Sequence, residues 1–119
     1  MRAHAASAHP QEACGLLLGQ GGVIDTARAC ANVAPDPART FEIDPAALIG
    51  AHRAARAGGP QVLGCYHSHP SGESVPSATD AAMAAADGRI WAIVAGQSLT
   101  FWRAGRQGFS ALSLRRIEG

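Results

Sequence analysis

The 119-residue chain is expected to fold as one α/β domain, a sandwich built on a mixed β-sheet flanked by helices. Three observations predict this. Short apolar runs bounded by glycine recur along the chain, at residues 13–19, 61–67 and 89–96, and read as buried strands. Two segments with strong helix starts, Asp44-Pro45 and Ser77-Ala78-Thr79-Asp80, fall between those runs, so strands and helices are interspersed. The length suits one domain with its own core, and no linker, repeat or low-complexity tract divides residues 1–119.

The elements follow in order. Residues 2–8 favour helix and Pro10 stops them. Residues 13–19 form a glycine-bounded strand, Gln20-Gly21-Gly22 a turn, and residues 23–33 the hairpin partner. Pro35-Asp36-Pro37 is loop, and the alternation in Thr40-Phe41-Glu42-Ile43 predicts a short strand. Asp44 as N-cap with Pro45 at the first helical position starts a helix to about Ala57, with Leu48, Ile49 and His52 at helical spacing. Gly58-Gly59-Pro60 ends it, and residues 61–67 are a central strand. A second helix spans residues 77–86, and three further strands cover 89–96, 99–103 and 109–116.

Charged residues make up 16% of the chain and the formal net charge is +1, which leaves no electrostatic footprint for nucleic acid or an anionic membrane surface. The three cysteines, Cys14, Cys30 and Cys65, are odd in number, widely spaced and without a CxxC pair. They read as reduced thiols acting as small buried hydrophobes. Residues 1–10 lack the apolar core of a signal peptide. A cytoplasmic location is the resulting expectation.

The chemistry concentrates in His67-Ser68-His69-Pro70 and the following Ser77-x-x-Asp80. If the strand runs into this segment, His67 and His69 share a face, because strand side chains alternate with period 2. Asp80 then swings back from the next helix. Two histidines and one carboxylate, with a fourth position left for water, form the ligand set of a catalytic zinc site. Ser77-x-x-Asp80 also reads as a capping box that needs no catalysis, and the two readings are compatible. Glu12, taken alone, reads as a surface carboxylate. His4, His9 and His52 have no partners by spacing, Glu73 reads as a solvated loop residue, and Trp91 and Trp102 as core or boundary.

Taken jointly, Glu12 in Pro10-Gln11-Glu12-Ala13-Cys14-Gly15-Leu16-Leu17-Leu18-Gly19, His67-x-His69-Pro70 and Ser77-x-x-Asp80 resemble the JAMM/MPN+ metallopeptidase motif of small stand-alone prokaryotic members. The resemblance implies a cytidine-deaminase-like sandwich and a Zn2+ cofactor held by His67, His69 and Asp80. It also implies Glu12 as the general base that takes the water's proton and hands it to the leaving amine, and Ser77 as donor to the oxyanion. The implied reaction is hydrolysis of a peptide or isopeptide bond after the Gly-Gly tail of a ubiquitin-like or sulfur-carrier protein. The mechanism requires the strand after Glu12 to pair beside the strand at 61–67. Three alternatives stay open: a RadC-like protein, a non-catalytic MPN binding module, and a zinc deaminase, although the Pro-Cys-x-x-Cys ligand pair of the last is absent. Phe41-Glu42-Ile43 is expected to border a groove where an extended tail adds as a strand. Residues 1–8 give at most about two helical turns, a thin N-terminal layer that a homodimer would cover.

Overall fold

The computed structural model describes residues 1–113. After a short helix α1 (Arg2–Ala8), strands β1 (Cys14–Gln20) and β2 (Val23–Cys30) form a hairpin. Helix α2 (Pro45–Arg56) leads into β3 (Gln61–Ser68), helix α3 (Ala78–Met83) into β4 (Ile90–Ala95), and β5 (Ser98–Gly105) and β6 (Gly108–Leu112) close the sheet. The order is β2-β1-β3-β4-β5-β6. Only β3 and β4 run parallel, joined by the crossover that carries α3, while the other neighbours are antiparallel. This is the mixed sheet expected.

Side-chain alternation divides the core. Leu16 and Leu18 pack with Ala51 and Leu48 of α2 and with Val62. Leu17 points the other way, to Tyr66 and Ala92, and His4 of α1 reaches that second face through a hydrogen bond between its Nδ1 and the Tyr66 hydroxyl, 2.7 Å. Helices thus contact both faces. Gly15 is required where it stands, since a Cβ there would collide with the Tyr66 ring. Asp44 caps α2 by accepting from the Ala46 N–H, 3.1 Å. No helix among the described residues is long and apolar enough to cross a membrane.

Five local expectations change. Residues 40–43 are not a strand: only an isolated bridge, Asn32 to Ile43, forms there, because the Asn32 side chain takes the backbone groups a partner strand would have paired. The hairpin partner ends at Cys30 rather than residue 33. Helix α3 stops at Met83, short of residue 86. The chain there must extend to bring Ile90 beside Gly64, where the strands approach too closely for a Cβ on residue 64. In α2 the buried position is Ala51, while Ile49 is exposed. The last strand ends at Leu112, and residues 114–116 of the expected strand lie outside the described residues.

Candidate metal centre and the cleft beside it

Register positions the first half of the site. Cys14 of β1 lies opposite His67 of β3, so the strand after Glu12 pairs beside β3 as the mechanism requires. The Ala13 N–H donates to Ser68 Oγ at 2.8 Å, and the Ser68 N–H donates to the Ala13 carbonyl at 3.0 Å. The residue between the two histidines is therefore bonded directly to the residue after Glu12. The His69 N–H continues the ladder to the Val94 carbonyl, 2.9 Å.

Helix α3 supplies the second half. Ser77 is its N-cap: Ser77 Oγ accepts from the Asp80 N–H at 3.0 Å, and the Ser77 N–H donates to Asp80 Oδ2 at 2.9 Å. The capping box is thus present, and it aims Asp80 back at the strand end. His67 Nε2 and His69 Nε2 come within 2.9 Å of each other, and Asp80 Oδ2 lies 3.1 and 2.9 Å from them. All three side chains are buried, at 0%, 7% and 3% exposure, and they form a group that can hold a metal ion.

The chemistry of the donors tests that reading. His69 Nδ1 lies 2.7 Å from the Glu73 carbonyl, which can only accept, so Nδ1 carries a hydrogen and the neutral ring turns the Nε2 lone pair inward. That lone pair meets a second ring nitrogen and a carboxylate oxygen away from water. Such a cluster needs a hydrogen or a metal ion at its centre: either His67 carries its hydrogen on Nε2 and donates inward, or a metal ion takes the converging lone pairs. Burial raises the Asp80 carboxyl, but hydrogen bonds from His67 and His69 outweigh it and hold the group far below the usual carboxylate range. Burial pushes His67 down. Burial also opposes charge on His69, yet the Asp80 hydrogen bond and the Glu73 carbonyl carry it upward.

The two rings are oriented differently. Carbonyl bonding fixes His69. His67 Nδ1 has no hydrogen-bond partner among the described residues, and its ring is set by packing: Phe41 stacks on it at 4.4 Å between centroids and Trp91 meets it edge-on at 5.6 Å. The Glu73 carbonyl is steadied through Ser74, whose own carbonyl accepts from Thr100 Oγ1 at 2.6 Å, and Thr100 Oγ1 accepts from Trp102 Nε1 at 3.0 Å.

Glu12 is buried at 5% exposure, not a surface group, and its Oε1 has no hydrogen-bond partner among the described residues. Burial pushes its carboxyl up to about 7, with His69 pulling it down and Asp80 pushing it up. It lines a cleft of about 200 Å³ together with His69, Ser71, Glu73, Ser77 and Arg39. A larger cavity, about 570 Å³, lies against α1 and shares His69 and Pro70 with this cleft, but it contains neither Glu12 nor Ser77. All five residues singled out in the sequence are thus gathered at one place.

The family model for prokaryotic homologs of the JAB domain matches residues 1–105. The chain belongs to this JAB-domain family. It is 36% identical over 94 residues to a desampylase of Haloferax volcanii, covering 77% of this chain and 68% of the relative. It is 38% identical over 79 residues to a probable TtuB-protein conjugate cleaving protease of Thermus thermophilus, covering 66% of this chain and 53% of that one. The chain thus spans about two thirds of the first relative's length and about half of the second's. A JAB1/MPN domain protein from Archaeoglobus fulgidus superposes with a TM-score of 0.62 at 27% identity, over 96% of this chain and 87% of that one. These matches agree with a JAB fold.

Sequence reasoning missed three residues around this site. Phe41 stacks on His67 instead of lying in a strand, Ser68 bonds to Ala13, and Glu73 acts through its backbone carbonyl. On the other face of the sheet, His4 has a partner in Tyr66. A lone asparagine in the run Cys30-Ala31-Asn32-Val33-Ala34 was the available signal for a fourth residue of the site, Asn32.

Proposed function

We propose that this JAB domain, taken as one unit over residues 1–119 with a cytidine-deaminase-like sandwich, is a zinc-dependent peptidase. It hydrolyses the peptide or isopeptide bond after the Gly-Gly tail of a ubiquitin-like or sulfur-carrier protein. The single observation that carries this is the convergence of three buried donors beside a buried carboxylate that keeps one oxygen unpartnered. The names of the two relatives, a desampylase and a conjugate-cleaving protease, support the substrate class. His67, His69 and Asp80 would hold the zinc, a nitrogen and oxygen donor set suited to that ion.

Bound there, zinc supplies Lewis acidity, which brings the pKa of water toward about 7 and polarises a carbonyl. Glu12 removes a proton from the attacking water and returns it to the leaving amine, and burial, which raises its carboxyl, favours its taking that proton. Ser77 Oγ accepts from the Asp80 N–H, and its hydroxyl hydrogen, which has no acceptor among the described residues, can donate to the oxyanion. No covalent intermediate is required. A tail without side chains fits a cleft of about 200 Å³. A cytoplasmic setting belongs to the same proposal, on the three free cysteines, as does a homodimer covering the thin N-terminal layer. The retained donor set argues against a binding module, which has no use for an unpartnered buried carboxylate.

The test is cleavage of ubiquitin-fold carriers fused through Gly-Gly to a short peptide, read by mass. The zinc-loaded wild type should release a carrier ending in Gly-Gly, and Glu12→Gln should release none. Equal cleavage by both proteins, or no cleavage of any carrier by the wild type, would defeat the proposal.

A further inference from the structure

Asn32 makes more side-chain hydrogen bonds to main chain than any neighbour of the cleft, and one goes to Glu12. Its Nδ2 lies 3.0 Å from the Glu12 carbonyl, 3.1 Å from the Thr40 carbonyl and 3.4 Å from the Pro37 carbonyl. Its Oδ1 accepts from the Ala34 N–H at 3.0 Å and the Glu42 N–H at 3.1 Å. This surrounding chemistry fixes the amide's orientation: three carbonyls can only accept, and two backbone N–H groups can only donate. On the other side of the same residue, the Glu12 N–H donates to the Pro37 carbonyl at 2.7 Å. One half-buried amide therefore ties β1's approach to the 34–42 loop that forms one wall of the cleft.

Glu12 needs such a tether. Its carboxylate has an unpartnered oxygen, so no side-chain contact holds that atom in place, and its aim depends on where its backbone is held. Small displacements of a proton-transfer group cost rate steeply.

We infer that Asn32 is the positioning residue for Glu12, acting through the Glu12 carbonyl and the loop that bonds the Glu12 N–H. This rests on the proposed role of Glu12 as general base. Asn32→Asp separates the parts. It keeps an oxygen for the Ala34 and Glu42 N–H groups and sets a second oxygen against three carbonyls. On a Gly-Gly fusion the variant's kcat should fall about 10- to 100-fold, with KM within about twofold and zinc per chain unchanged, since the variant leaves the ligands untouched. A purely structural role would instead lower zinc content and melting temperature together and leave the kcat of the folded fraction intact.

A second measurement needs no variant. In the ¹⁵N-labelled wild type, the Asn32 side-chain amide should exchange slowly with solvent and show NOEs to the Glu12–Ala13 segment. Wild-type kcat in Asn32→Asp, or an Asn32 amide exchanging at solvent rates, would overturn the inference. Failure of the wild type to cleave any Gly-Gly fusion would strike the proposed function instead, and the exchange measurement would still decide the tether.

Discussion

The His67–His69–Asp80 cluster and Glu12 are both buried within one site, yet they are held in opposite ways. The cluster is held by its side chains: each acid or ring contacts the others at 2.9–3.1 Å, the capping box aims Asp80, and Phe41 and the Glu73 carbonyl orient the rings, although His67 Nδ1 has no hydrogen-bond partner among the described residues. Glu12 is held by its backbone, through Asn32, Pro37 and the Ala13–Ser68 bond, while its carboxylate keeps a free oxygen. Under the proposed function, the difference separates two tasks. A cation site needs fixed donors that all point inward. A proton carrier needs a fixed origin and a carboxylate that can exchange partners.

The strongest way to break this comparison is Glu12→Gln. It should retain metal while lowering kcat about 10²- to 10⁴-fold. With metal stripped, the same variant should melt a few degrees above wild type at pH 8. The sign follows from the raised carboxyl. The unfolded chain ionises near 4.5 and the folded chain near 7, so wild-type stability falls as pH rises through that window and stays lower above it. Thermal melts at pH 5 and pH 8 check this, and the gap should close at the lower pH.

Ser77→Ala comes next, because Ser77 belongs to both regions. Loss of an oxyanion donor should lower kcat about 10²- to 10³-fold, and loss of the cap should cost about 1 kcal/mol. A stability loss without a rate loss would assign Ser77 to the cluster alone. Phe41→Leu, which removes the ring stacked on His67, should weaken metal affinity about 10-fold by competition titration and leave the Glu12 side unaffected. The smallest effect is expected at Cys14, two residues from Glu12. Burial pushes its thiol up to about 12, so only about 10⁻⁴ of it is thiolate at pH 8. A thiol reagent should leave Cys14 unmodified until the protein is unfolded.

The His67–His69–Asp80 cluster was legible in the sequence and the tether was not, for a physical reason. Alternation along β3 placed His67 and His69 on one face, and Ser77-x-x-Asp80 announced both a cap and the return of the carboxylate, all within local sequence. The Asp44-Pro45 start of α2 was readable in the same way. Asn32 and Phe41 act across long separations, through bonds to Glu12 and Thr40 and a ring stacked on His67, and no local pattern encodes those partners. Residues 40–43 alternate like a strand, but a side chain replaced the strand partner. Residues 84–86 carry no glycine or proline to end α3; the need to deliver Ile90 to β3 ended it.

The most direct test of the account is the metal content of gently purified protein, measured per chain beside Asp80→Ala. Close to one zinc is expected in the wild type and little in the variant, with both folded. A well-folded wild type that takes up no zinc even when the metal is supplied, or an Asp80→Ala protein that holds as much as wild type, would contradict it.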